Sequence, residues 1–409
     1  MKLSIIICVY NTDRVYFKSC LDSLTKSTLD DYEICVVDDG STVDYSDFVS
    51  EYRLKYKKTE NRGILSARLT GISMAEGDYA AFCDSDDTVS FNYHRPMVEL
   101  ADREGADIVI NDWAFHTARA RYFCKGDSTI TESISESGQD VLMRFLAQEG
   151  REHSYFVLWN KVYKTELLKS AAEAVSSSEV AASPSVYAED ALINFFAFRE
   201  AKKLRNIHTG YYFYRIHASQ SVNVVSEEKL ATQVRLMSKT LDTMRESLPE
   251  CALRDRMAEC LDRWGELMSR THYSYAVSAG YKDVADVIKS AYRVEKLAKS
   301  TMRDQSAYVN NSLLGGNFTE VDEALLSVYR DEGITELSYD RRDDYVCRSI
   351  EYMRASGRAI SYSKRAATRI PKQKKSTKNR ILHNYYVYMI GMLLFKKGSK
   401  IRALLKKLV

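Results

Sequence analysis

Four short runs of this chain are apolar without alternation: Leu3 to Tyr10, Ile34 to Val37, Tyr79 to Cys83 and Ile108 to Ile110. A strand with one wet face alternates apolar and polar residues, so unbroken runs predict strands covered on both faces, as in a parallel sheet. Between them, Tyr16 to Ser27, Gly63 to Ala75 and Met97 to Glu104 read as helices, with Leu65, Leu69 and Ile72 spaced to share one face. A further short strand is expected near Lys55 to Lys58. This order is that of a doubly wound α/β unit, whose ligand edge lies beyond the carboxyl ends of its strands. The Ser- and Ala-rich segment Ser170 to Val186, with Pro184, reads as a mobile connection, followed by a helix over Ala191 to Arg199. From Glu227 the pattern is helical almost throughout, with candidates at Glu227 to Leu248, Ala252 to Ala279, Tyr281 to Arg303, Glu320 to Arg330 and Arg341 to Arg354. The expected organisation is an α/β domain over residues 1–225, a helical domain over 226–355 and a tail over 356–409.

Composition agrees with a multi-part folded chain. The 409 residues exceed what one core usually serves, and 45% apolar with 28% charged residues argues against disorder and against a polytopic membrane protein. Charge adds an asymmetry. Of 59 basic and 56 acidic residues, 16 basic and no acidic ones follow Glu351, leaving a net charge of −13 on the rest. A mildly acidic body with a basic tail suits an anionic surface near the C-terminus better than a nucleic-acid grip. The 8 cysteines include no CxxC pair, and Cys8, Cys35 and Cys83 fall within predicted strands, which fits free thiols in a reducing compartment. Leu3 to Tyr10 lacks a cleavage site and no apolar run reaches the roughly 18 residues of a membrane span, so a cytoplasmic protein is expected.

Candidate chemistry gathers at the strand ends. Asp84, Ser85, Asp86 and Asp87 follow the third strand, and clustered carboxylates there repel unless they share a cation; oxygen ligands suit Mg²⁺ or Mn²⁺ held with phosphate. The plain alternative is an Asx-rich turn in which Ser85 or Asp87 caps a helix. Asp38 and Asp39, before Gly40 and Ser41, end the second strand, where a carboxylate can accept from a base or ribose, or simply form a turn. Asn61, Arg62 and Gly63 open a helix with Arg68 two turns in, an arrangement that attracts phosphate or else caps and solvates a helix. Glu189 and Asp190 precede a helix and are either N-terminal helix charges or a general base for an acceptor hydroxyl. The aromatic run Tyr211 to Tyr214 leads through Arg215 to His217, a packing residue or a nitrogen ligand beside Asp86.

Taken in order, Ser4 to Asn11, VDDGS (Val37 to Ser41), NRGILSAR (Asn61 to Arg68), GDYAAFCDSDD (Gly77 to Asp87), WNKVYKTELL (Trp159 to Leu168), AEDALINFF (Ala188 to Phe196) and YRIHASQS (Tyr214 to Ser221) resemble the family 2 glycosyltransferases. The resemblance covers about residues 2–223 and implies a GT-A fold with an appended helical domain, and an inverting, metal-dependent sugar transfer. It implies a nucleotide-sugar donor, its base near Cys8, Tyr10 and Asp39 with Asn61 and Arg68 close by. Asp84 would approach the ribose or the metal, Asp86 would bind Mn²⁺ or Mg²⁺ at the diphosphate, and His217 would join that metal. Asp190 would be the base, with Ser85 and Glu189 among the substrate-binding positions. Cys8 stands where the family usually has proline, and Leu69 where it often has asparagine, which touches base and ribose contacts rather than catalysis. Trp159 would stack on a sugar, or serve as an ordinary core aromatic.

The tail is basic from Lys364 to Arg380, apolar from Tyr385 to Phe395 and basic again from Lys396 to Lys407. Its apolar stretch is too short to span a bilayer but suits a helix lying on an anionic leaflet; a solvated or partner-bound basic helix is the alternative. The expected acceptor is a glycan, a teichoic-acid-like polymer or a lipid-linked glycan in cell-surface polysaccharide synthesis, with no nucleic acid involved. The helical domain would bind acceptor or form a homo-oligomer. The competing reading is a non-catalytic nucleotide- or sugar-binding module acting as an assembly partner. A nucleotidyltransferase is disfavoured, because no Gly-rich basic loop is present.

Overall fold

In the computed structural model of the protein, β1 (Leu3–Val9), α1 (Arg14–Thr25), β2 (Tyr32–Asp38), α2 (Ser46–Glu51), β3 (Lys55–Lys58), α3 (Ile64–Met74), β4 (Tyr79–Phe82), β5 (Thr88–Val89), α4 (His94–Glu104) and β6 (Ile108–Ile110) follow one another. Next come β7 (Trp113–His116), β8 (Arg121–Cys124), α5 (Gly138–Leu146), α6 (His153–Phe156), β9 (Lys161–Lys164), α7 (Thr165–Ser176), a 3-10 turn (Glu179–Ala182), α8 (Glu189–Glu200), β10 (Leu204–Asn206) and β11 (Tyr212–Arg215). The helices α9 (Glu227–Glu246), α10 (Arg254–Ala279) and α11 (Val284–Tyr292) complete the set. The structure describes residues 3–299 except 27–28, 91, 112, 117–120, 125–137, 151–152, 183–186, 208 and 216–225. His217, the helices expected at Glu320 to Arg330 and Arg341 to Arg354, and the basic tail lie outside the described residues.

The unbroken apolar strands are explained by burial on two faces. In β1, Leu3, Ile5, Ile7 and Val9 enter one hydrophobic cluster with Phe17 and Leu21 of α1, while Ile6 enters the opposite one with Leu65 and Ile72 of α3. The main sheet runs β10-β6-β9-β4-β1-β2-β3. β1 pairs in parallel with β2 (Ile6 opposite Cys35) and with β4 (Ile6 opposite Phe82), whereas β9 is antiparallel to both β4 and β6. This parallel-rich sheet with helices on both faces is the α/β architecture expected. A second, four-stranded sheet, β5-β11-β7-β8, flanks the ligand edge. At Gly71 of α3 an added Cβ would lie 2.3 Å from Ile6 Cγ2, so the missing side chain lets α3 press directly onto β1.

Two expectations are corrected. Ser170 to Ser176 is the second half of α7, not a mobile connection, because Leu168, Ala171, Ala172 and Val175 recur at helical spacing and are buried. The last described helix is shorter than Tyr281 to Arg303, ending where Arg293 turns left-handed (φ 56).

The helical segment shares a core with the sheet-bearing part. Met237, Leu241 and Met244 of α9 and Met257, Leu261 and Trp264 of α10 join the cluster that holds Phe145 and Phe198. Trp264 packs on Phe156 at 4.8 Å and edge-on against Phe145 at 6.2 Å. No helix among the described residues is long and apolar enough to cross a membrane.

Candidate active site

The carboxyl ends of β1, β2 and β4 form one crevice, and its walls are built by hydrogen bonds between loops. Asn11, left-handed (φ 50), takes the Thr42 N–H on its side-chain oxygen at 2.9 Å, and its own N–H donates to Ser41 Oγ at 2.9 Å. The Asp39 carboxylate accepts from the Arg62 N–H at 2.9 Å and the Gly63 N–H at 2.8 Å, so it holds the entry to α3 against the end of β2. Gly40 (φ 80) allows this approach; a Cβ there would sit 2.7 Å from the Asn61 nitrogen. Tyr10, 53% exposed, and Asn61 are left open to solvent on this side. Burial pushes the Cys8 thiol up to about 12, with Arg68 opposing, so it stays protonated in the crevice.

The acidic turn after β4 is two-sided. Ser85 and Asp87 are buried, Ser85 Oγ lying 2.7 Å from Thr12 Oγ1, while Asp84 and Asp86 are half-buried. Asp87 accepts from the Tyr212 hydroxyl at 2.7 Å and from the Arg215 N–H at 2.7 Å. The same Tyr212 oxygen accepts from the Asp84 N–H at 3.0 Å, and Arg215 Nε donates to the Asp86 carbonyl at 2.7 Å. The Arg215 guanidinium also lies over the Tyr16 ring at 4.7 Å. β11 thus fixes the turn, consuming Asp87 internally. Burial, then the neighbouring Asp86 and Asp84 charges, raise the Asp87 carboxyl well above its usual range. Burial lifts Asp84 to about 6, Arg68 pulling it down and Asp86 pushing it up.

Arg68 joins this turn to the opposite wall. Buried on α3, its guanidinium lies 3.6 Å from Asp84, 2.5 Å from Glu189 Oε1 and in contact with the Asp190 carboxylate. Burial disfavours its charge, but Glu189 and Asp84 outweigh that and hold the guanidinium above its ordinary range. Glu189 and Asp190 open α8 directly after Ala188, which is left-handed (φ 66) despite its Cβ. A helix N-terminus favours negative charge, so the pair is placed where backbone dipole and guanidinium both stabilise it.

Of the residues singled out from sequence, Cys8, Tyr10, Asp39, Asn61, Arg68, Asp84, Ser85, Asp86, Glu189 and Asp190 belong to the elements around this crevice. Trp159 has the core role: it is 2% exposed, stacked on Tyr212 at 4.3 Å and Tyr214 at 5.9 Å and edge-on to Trp113. Its neighbour Lys161 is buried too, its ammonium bonded to the Ser154 and Val157 carbonyls at 2.6 and 2.5 Å. Sequence reasoning missed Tyr212 and Arg215 as supports of the acidic turn; the Tyr211 to Arg215 run was visible, but not the strand pairing that brings it to Asp87. Among the described residues, no three His, Cys, Asp or Glu side chains form a ready-made metal site.

The family model of Glycosyl transferase family 2 matches residues 4–141. A Bacillus subtilis (strain 168) protein named as glycosyltransferase EpsH is 32% identical over 228 residues, 54% of this chain and 62% of its own length. Glycosyltransferase GlyA of Streptococcus pneumoniae serotype 4 is 27% identical over 59% of this chain and 34% of its own length, so the chain spans less than two thirds of either relative. The Poly(ribitol-phosphate) beta-glucosyltransferase of Bacillus spizizenii is 42% identical over 98 residues, 22% of this chain and 15% of its own length. The solved structure of S. aureus TarS 1-349 in complex with UDP-GlcNAc aligns with a TM-score of 0.49 at 19% identity, covering 89% of this chain and 94% of that one. The part of the chain that begins at β1 and carries the acidic turn is thus similar to glycosyl transferase family 2.

Proposed function

We propose that the chain is an inverting, metal-dependent glycosyltransferase that moves a sugar from a UDP-sugar to a hydroxyl of a glycan, a polyol-phosphate polymer or a lipid-linked acceptor. The observation that carries this reading is the convergence of the acidic turn and the Glu189–Asp190 pair on one buried guanidinium, that of Arg68. A binding module would need the acidic turn or the crevice, not a carboxylate pair held on its far wall. Asp84 and Asp86 offer hard oxygen ligands, and the mutual repulsion that helps raise Asp84 is what a divalent cation relieves, so the donor set fits Mn²⁺ or Mg²⁺. Bound there, the cation would offset charge on a nucleoside diphosphate leaving group.

The chain's own residues do the rest. Tyr10 and Asn61 offer a ring and an amide to the base, on a wall that Asp39 fixes. Asp190 takes the proton of the acceptor hydroxyl as its oxygen bonds to the anomeric carbon, and the bond from that carbon to the diphosphate oxygen breaks. One displacement inverts the configuration. The similarity to a poly(ribitol-phosphate) beta-glucosyltransferase supports a polyol-phosphate hydroxyl as one acceptor. The basic tail would hold the enzyme on an anionic leaflet; equal binding to anionic vesicles by a chain ending at Gly357 would remove that contact from the account. The reading is tested by UDP release from UDP-glucose and UDP-N-acetylglucosamine with Mn²⁺. Turnover abolished by EDTA and by Asp86→Ala is expected, and turnover insensitive to both would refute the metal role.

A further inference from the structure

The α8 N-terminus needs support from behind. Ala188 holds a left-handed conformation that costs free energy for a residue with a Cβ, and it sets the direction of Glu189 and Asp190. Arg68 restrains the carboxylates from the crevice side. On the other side, the backbone of Tyr187 meets the helical segment: the hydroxyl of Thr240, fully buried on α9, donates to the Tyr187 carbonyl at 3.3 Å. Tyr187 and Ala188 pack against the cluster that contains Met237, Leu241 and Met244 of α9 and Met268 of α10. The Tyr187 ring lies 6.3 Å from that of His272 on α10, and His272 Nδ1 is 2.9 Å from the Tyr292 hydroxyl on α11. At the far end of α8, Arg199 donates to the Ser247 carbonyl at 3.3 Å, so α8 is tied to α9 near both of its ends.

We infer that α9, α10 and α11 are the positioning element of the Asp190 turn, acting through Thr240 and the His272–Tyr292 pair; the inference rests on the reading of Asp190 given above. The supporting residues lie outside the family match, which ends at residue 141, so this assigns a role to a segment that the match leaves without one. Burial lowers His272 to about 4, so the ring is neutral at working pH and its contact with Tyr292 is a hydrogen bond rather than an ion pair. Polar groups this deeply buried are costly to leave unpaired, so they fix one arrangement of the helices beneath the turn. The consequence is catalytic alignment without any contact to donor or acceptor.

The test uses the full chain with UDP-glucose and UDP-N-acetylglucosamine, Mn²⁺, and UDP binding by calorimetry. Thr240→Val and Tyr292→Phe should each lower kcat about tenfold, while KM for the donor and the affinity for UDP stay within about twofold. Thr240→Ser should restore the rate. In an Asp190→Asn background the same two substitutions should change the residual rate by less than about twofold, because the group they position is gone. An equal loss of rate in both backgrounds, or a loss of UDP affinity with kcat intact, would overturn the inference. Asp190→Asn at the parent rate would instead sink the reading of Asp190, and this inference with it. Should Thr240→Val fail to fold, Tyr292→Phe carries the same comparison.

Discussion

Arg68 faces Asp84, Glu189 and Asp190 from a buried position, and the balance of charge there decides what each residue can do. Without the guanidinium, the three partly buried carboxylates would repel one another. Breaking a buried pair from one side typically costs about 3–5 kcal/mol. Arg68→Met is therefore expected to lower stability by about that amount and to cut UDP release by at least about a hundredfold, read by urea unfolding and by donor turnover. Arg68→Lys should recover little, because one ammonium cannot bridge two walls as the planar guanidinium does. A variant of ordinary stability and rate would show that the cluster is incidental. The residue scale also shows where sequence reading stops. Carboxylates at strand ends were legible because the ligand edge of an α/β sheet follows from strand order alone. That Arg68 faces Glu189 and Asp190, 121 and 122 positions later, depends on the tertiary packing of α3 and α8 on α7, and no local pattern encodes it.

At the scale of elements, β1 and α3 were legible and β9 and α7 were not, for opposite reasons. β1 is buried on both faces, so its side chains are apolar throughout. β9 is only KVYK, and its buried lysine takes its partners from α6 and the α6–β9 connection, so polarity there says nothing about exposure. α7 was misread because Ser and Ala suggest a linker, yet Ala171, Ala172 and Val175 form a buried stripe of small residues against neighbouring helices. The α3–β1 contact gives a sharp prediction. An added methyl at Gly71 meets Ile6 Cγ2 at 2.3 Å within a packed sheet, so Gly71→Ala should destabilise by about 1–3 kcal/mol despite its better helix propensity. Thermal unfolding would read this as a lowered Tm; an unchanged or raised Tm would mean that α3 stands farther from the sheet.

At the scale of the whole molecule, two buried histidines link stability to pH. Burial lowers His94 to about 3 and His272 to about 4, from an ordinary value of 6.5. Both ring nitrogens of His94 lack a hydrogen-bond partner among the described residues, so nothing offsets its charging. The unfolded chain therefore binds these protons first. The stability they contribute is complete above about pH 6.5 and is lost as pH falls through the window down to about 4 and then about 3, by up to about 1.4 kcal/mol per unit for each group. Urea unfolding at pH 7, 5.5 and 4.5 should reveal this fall, and His94→Phe should flatten it; a pH-independent midpoint would contradict it. The helical segment shares its core with the sheet-bearing part, so this linkage belongs to the molecule that also carries the crevice. In the proposed function the crevice divides the work, Asp86 serving the donor side and Asp190 the acceptor side. The most direct measurement compares Mn²⁺-dependent UDP binding and UDP-sugar turnover in Asp86→Ala and Asp190→Asn. The account predicts that Asp86→Ala loses both, whereas Asp190→Asn keeps binding and loses turnover by at least about a hundredfold. Turnover at the parent rate in Asp190→Asn would contradict it.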